Sequence, residues 1–171
     1  MPSAILQPHP QGDASPVEEI EVQIEREGTV LWLRFVAQGD VDVVEWPAPR
    51  PQGRADDLWK HTCFEAFVRT TEGYCEFNLS PSSQWASYRF DSYRDGMKLA
   101  EEVATVLGLD GGDDYVALEA KVELPNDATG PIALAAVIED LRGRNTYWAL
   151  AHPAGKPDFH HPDSFVLELP A

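Results

Sequence analysis

The segment from Leu58 to Arg94, LWKHTCFEAFVRTTEGYCEFNLSPSSQWASYRFDSYR, gathers both cysteines of the chain with an unusual set of His, Glu, Asn, Trp and Arg side chains. Glu65 and Glu76 offer acid–base chemistry or hydrogen-bond acceptors, Asn78 carries a donor and an acceptor on one amide, and Arg89 presents a fixed fork of donors. Side chains alternate across a strand. CFEAFVR therefore divides into Phe64, Ala66 and Val68 on one face and Cys63, Glu65, Phe67 and Arg69 on the other. In the same way YCEFNLS sets Cys75, Phe77 and Leu79 against Tyr74, Glu76, Asn78 and Ser80. If TTEG closes a hairpin, keeping apolar with apolar places Val68 opposite Cys75, Ala66 opposite Phe77 and Phe64 opposite Leu79. Glu65 then pairs with Asn78, and Phe67 with Glu76. Taking PSSQ as the next loop puts Ala86, Tyr88 and Phe90 on the apolar face, Arg89 opposite Glu76 and Ser87 opposite Asn78.

One face is thus expected to carry His61, Glu65, Glu76, Asn78, Trp85 and Arg89, with Trp59 beside it, as a ligand-binding set. Cross-strand Glu–Arg pairs worth about 0.2–1 kcal/mol account for charges on an ordinary solvated face. The amide and aromatic content is closer to a site for a small polar ligand such as a saccharide. Cys63 and Cys75 fall on opposite faces, so no disulfide between them is expected.

Other chemistry is less well served. His152, Asp158, His160 and His161, in HPAGKPDFHHP, are candidate metal ligands by type. Adjacent histidines point apart in extended backbone, however, and His61 and Glu65 at i, i+4 on a strand are about 13 Å apart, so no metal is expected. Glu65 and Glu76 could flank a glycosidic bond, but an Arg89 opposite Glu76 would hold that carboxyl ionised. No GxSxG, HExxH, P-loop or GxGxxG pattern occurs. The chain reads as a non-catalytic binder. The alternatives are an enzyme or metal-dependent site using His61, Glu65, His152 and the PDFHH loop, and a protein-interaction module docking through edge strands.

The elements that must position these residues are short β-branched or aromatic runs between turn residues: EIEVQIE, TVLWLRFVA, VDVVEW, CFEAFVR, YCEFNLS, WASYRFDSY, VATVLGL, YVALEAKVEL, IALAAVIEDL, TYWALAH and SFVLEL. Turns are legible at Glu27–Gly28, at Thr70–Gly73 and at Asp110–Asp114. In GMKLAEEVATVLGLD a helical stripe competes with the alternation of Val103, Thr105, Leu107 and Leu109, which favours a strand. About ten strands without a βαβ rhythm predict an all-β, two-sheet antiparallel sandwich of the jelly-roll kind. Residues 1–17 read as a flexible leader and residues 18–171 as a single domain.

The 171 residues carry 29 acidic and 13 basic side chains, a net charge of −16, with no basic cluster. Nucleic acid and anionic membrane surfaces are therefore poor partners. No export signal and no membrane-spanning apolar run is seen, and two cysteines suit a reducing compartment, so a cytoplasmic location is expected. Oligomeric state is left open.

The runs LWKHTCFEAFV, EFNLSPSSQWASYRFDSYRDGM, YWALAHP and PDFHHPDSF resemble the bacterial DOMON-like proteins, a group related to the family 9 carbohydrate-binding modules. The resemblance spans the chain from about Glu18 onward. It implies a β-sandwich and a saccharide gripped between aromatic rings, with Trp59 and Trp85 as the best matches and Trp148 behind them. Some DOMON branches bind haem. Here Met97 is the only internal methionine and no CxxCH attachment exists, so a haem ranks behind a sugar and no cofactor is expected.

Overall fold

The computed structural model describes residues 2–171. Its strands are β1 (Ser3–Pro8), β2 (Val17–Glu27), β3 (Val30–Gly39), β4 (Gly53–Arg54), β5 (Cys63–Arg69), β6 (Tyr74–Leu79), β7 (Gln84–Phe90), β8 (Lys98–Leu99), β9 (Ala104–Gly111), β10 (Tyr115–Glu123), β11 (Thr129–Glu139) and β12 (Asn145–Ala149). Helical structure among the described residues is limited to 3₁₀ turns at Val41–Val43, Leu58–Lys60 and Pro162–Ser164.

The all-β expectation matches, but the ladder is one path rather than two separate sheets. It runs β4-β7-β6-β5-β11-β12-β1-β2-β3-β10-β9, with β8 added to β7, and curls into a half-barrel. The join is β1. Its residues Ser3–Leu6 pair with β2, and Gln7 and Pro8 then pair with Ala149 and Trp148 of β12. A strand that changes partners in this way turns a corner. The expected flexible leader is therefore corrected: its residues 3–8 are the strand that connects the two halves, and Leu6 is buried.

Inside the curl, Ile20, Val22 and Phe35 of one half meet Phe64, Phe77 and Leu134 of the other. The Phe35 and Phe64 rings lie 5.0 Å apart. The hairpins expected at Glu27–Gly28, TTEG and DGGDD all form. Gly28 takes φ 60°, the left-handed conformation that the β2–β3 turn needs. Two expected strands do not form. VDVVEW begins with the Val41–Val43 turn, and SFVLEL contributes one bridge, Ile132 to Leu167. In β9 the strand reading stands, but the residues turned inward are Ala104 and Val106, while Leu107 and Leu109 remain exposed.

The β5–β6 register matches the expectation at every pair, including Glu65 with Asn78 and Phe67 with Glu76. The β6–β7 register does not. Asn78 faces Ala86, Glu76 faces Tyr88 and Tyr74 faces Phe90. Ser83 sits at φ 81°, and the Ser80 N–H donates to the Gln84 carbonyl, so the loop is Pro81–Ser83 and one residue shorter than PSSQ. A one-residue change of register exchanges the faces of the whole strand. Trp85, Ser87 and Arg89 consequently face inward.

Candidate functional site

The face of β5, β6 and β7 turned away from the main core is ordered in rows. One row runs Ala86, Asn78, Glu65, Ala135, Ala149 across β7, β6, β5, β11 and β12. The next runs Tyr88, Glu76, Phe67, Ala133. Alanines on either side of the Glu65–Asn78 pair leave a polar floor between small side chains. Phe67, Tyr74, Tyr88 and Phe90 form a second apolar cluster above it, with Phe165 from the C-terminal segment. Leu58 and Phe159 pack onto that cluster from two loops. The Tyr88 hydroxyl donates to Asp56 at 2.5 Å and fastens the first of these loops to the face.

The floor is enclosed. Glu65 is 3% exposed and Asn78 0%. Glu65 Oε2 and both Asn78 amide atoms, Nδ2 and Oδ1, have no hydrogen-bond partner. A buried polar group left unpaired costs about 1–3 kcal/mol, so this arrangement is expensive and local. Burial, reinforced by the neighbouring Glu76 charge, raises the Glu65 pKa well above its ordinary value. A protonated carboxyl both donates and accepts, as an amide does.

Glu76 is met by His160, whose Nε2 lies 3.1 Å from Glu76 Oε1. Facing a carboxylate, Nε2 keeps its proton, so in the neutral ring Nδ1 accepts from the Tyr74 hydroxyl 2.7 Å away. The Tyr74 oxygen in turn accepts the Arg94 N–H at 3.2 Å. Burial pushes the Tyr74 hydroxyl up to about 12, which suits its role as a donor. Asp158, two residues before His160, accepts from the hydroxyl of Tyr93 and from Arg94, and also from the His160 backbone N–H. These bonds hold its carboxyl below the ordinary range against the opposing effect of burial. Outside His160, a recess of about 220 Å³ lined by Arg69, Thr70, Tyr93 and Phe165 opens to solvent.

Of the expected set, the structure brings Glu65, Glu76 and Asn78 together. Trp85 and Arg89 lie on the opposite face, a correction that follows from the shorter loop. Trp85 joins the main core under the Arg54 guanidinium, 4.4 Å from its ring centre. Arg89 binds Asp127 at 2.7 Å and Glu102 at 3.3 Å. His61 sits ahead of β5 at the surface, its Nδ1 3.0 Å from Glu139. Trp59 is half-exposed on the Leu58–Lys60 turn beside Lys60. Trp148 is buried in the main core.

The metal candidates disperse among other tasks. His152 donates to the Gln7 carbonyl, His161 Nδ1 accepts the Asp163 N–H, and Asp158 is held as described. Among the described residues no three of His, Cys, Asp and Glu converge as a metal site. Tyr88 and His160 are the site residues that the sequence reading assigned elsewhere. Spacing gave no sign of His160 at Glu76, because their contact is long-range. The alternating alanines of IALAAVIED were the available signal for the floor.

No protein-family model matches the chain, and no curated protein shows significant similarity to it. Among solved structures it is similar to the crystal structure of a "putative carbohydrate-binding protein" from Bacteroides uniformis, with a TM-score of 0.53 and 13% identity over 94% of this chain and 83% of that one. At that identity the likeness is one of fold.

Proposed function

We propose that the protein binds a small, neutral, hydroxyl-rich ligand, a saccharide, on the Glu65–Asn78 floor without transforming it. The unpaired Asn78 amide beside the unpaired Glu65 oxygen carries this reading. A buried donor and acceptor with no protein partner are matched by vicinal hydroxyls, each of which donates and accepts. The surrounding tyrosine and phenylalanine rings suit the apolar face of a pyranose. A further point supports it: the fold is similar to that of a protein described as a putative carbohydrate binder. Because the floor is covered, a ligand reaches it only when the Leu58–Lys60 turn or the His160 segment gives way.

Titration calorimetry against neutral mono- and oligosaccharides tests the reading. Binding to the wild type that is lost in Asn78→Ala and weakened in Glu65→Gln is the expected result. Saccharide binding indifferent to both substitutions, or no binding at all, removes it.

A second reading rests on Glu65 and Glu76, diagonal neighbours of which burial raises the pKa of one, Glu65. Such a divided pair is what glycoside hydrolysis uses. The expected obstacle, Arg89 opposite Glu76, is absent because Arg89 faces the other way. Release of nitrophenol from aryl glycosides by the wild type, abolished in both Glu65→Gln and Glu76→Gln, would favour hydrolysis over simple binding.

A further inference from the structure

The other half of the sheet has its own outer face, independent of the Glu65–Asn78 floor. Trp32 of β3 stands there 37% exposed, between Glu25 of β2 and Lys121 of β10 in the ladder. Arg34, Gln23 and Glu119 form the adjoining row. At β9 the ladder slips: Gly108 pairs with Glu119 and Val106 with Ala120, so Leu107 is an extra residue that bulges out. Leu107 is 45% exposed, and a Cβ placed on Gly108 would meet nothing within 4 Å. Bulges re-aim side chains, and a glycine inside a strand often marks a close approach by a ligand.

Together these features open a trough of about 290 Å³ on the sheet. Trp32 forms one wall and Leu107 the other, two strands or about 10 Å apart. Arg34, held 3.2 Å from Glu119, supplies donors along it, and Gln23 adds an amide. Glu25 and Glu119 supply acceptors.

We infer that this trough is a second saccharide site, in which a neutral pyranose stacks on Trp32 and is hydrogen-bonded by Arg34, Gln23 and Glu119. An aromatic ring face bordered by donors and acceptors matches the apolar face and equatorial hydroxyls of such a sugar. Charge sets the class. Glu25, Glu27 and Glu119 line the trough against Arg34 alone, in a chain of net charge −16, so acidic glycans are repelled.

The test titrates the whole protein with cello-, xylo-, manno- and maltotetraose, with tetragalacturonate as an acidic control, following heat and tryptophan fluorescence. Three variants are compared: Trp32→Ala, Gly108→Phe to fill the trough, and Asn78→Ala to remove the buried floor. Gly108→Phe adds a side chain where space is open, so it tests the trough without removing the tryptophan. At least one neutral tetrasaccharide should bind the wild type in an event weakened tenfold or more by Trp32→Ala and by Gly108→Phe, and unchanged by Asn78→Ala. Tetragalacturonate should not bind. Binding lost only in Asn78→Ala overturns this inference while leaving the buried site standing, and a wild type that binds none of the sugars overturns both. Unchanged affinities with altered sedimentation in Trp32→Ala would overturn it too, by making the trough a contact between copies of the chain.

Discussion

Replacing Asn78 by valine should make the unliganded protein more stable while abolishing its ligand binding. Asn78 is fully buried on a central strand, and neither its amide nitrogen nor its amide oxygen has a partner. Leaving such groups unpaired costs about 1–3 kcal/mol. Valine is similar in volume and favoured in strands, and a packing mismatch from a near-isosteric change takes back less than about 1.5 kcal/mol. The net expectation is a gain of about 1–2 kcal/mol. For a chain of this length each kcal/mol moves Tm by roughly 2–4 °C, so Tm should rise by about 2–8 °C. Scanning calorimetry and urea unfolding measure the gain. Repeating the scan at a ligand concentration one hundred times Kd should stabilise the wild type by about a further 2.7 kcal/mol and leave the valine variant unmoved. A loss of more than about 1 kcal/mol in the unliganded variant would refute the reasoning, because the amide would then have a partner, such as a bound water, that the ligand argument denies it.

Glu65 gives a pH signature. Its folded pKa is raised by burial and then by the Glu76 charge, so the folded chain holds the proton more tightly than the unfolded one. That contribution is complete below the ordinary value of 4.5 and is lost as pH rises through the folded value. Wild-type stability should therefore decline more steeply than that of Glu65→Gln as pH rises above 4.5, and parallel urea midpoints across that rise would count against the assignment. Gly73→Ala should cost about 2–4 kcal/mol, because a Cβ at Gly73 would lie 1.9 Å from the Phe90 carbonyl oxygen; a shift in urea midpoint worth under about 1 kcal/mol would contradict it. Both thiols should stay silent to dithionitrobenzoate until the chain unfolds. Burial raises Cys63 well above its ordinary value and pushes Cys75 up to about 12, and a fast-reacting thiol in native protein would show the faces misassigned.

What the sequence made legible follows from how local each cause is. TTEG is a recognisable turn, and from it the pairing of Glu65 with Asn78 and of Phe67 with Glu76 followed residue by residue. The next loop turned on Ser83 taking a left-handed conformation that serine does not advertise, and that one choice exchanged Trp85 and Arg89 for Ala86 and Tyr88. His160 reaches Glu76 from a distant loop, and no spacing rule carries that contact. SAILQP lacked strand signals because it follows Pro2, ends in Gln7 and Pro8 and carries no β-branched run, and part of its pairing comes from β12 at the far end of the chain. The unpaired atoms of the floor depend on what surrounds them in three dimensions, which no strand pattern encodes.

The six residues of β1 also govern how the molecule ends. With β1 in place, the eleven-strand path terminates only at β4 and β9. A chain trimmed to begin at Val17 would leave β12 and β2 with bare rows of N–H and C=O groups, since each relies on β1 for its second neighbour. Two new edges of that kind invite pairing between chains. The segment whose composition looks dispensable is thus the one that keeps the fold from templating its own aggregation.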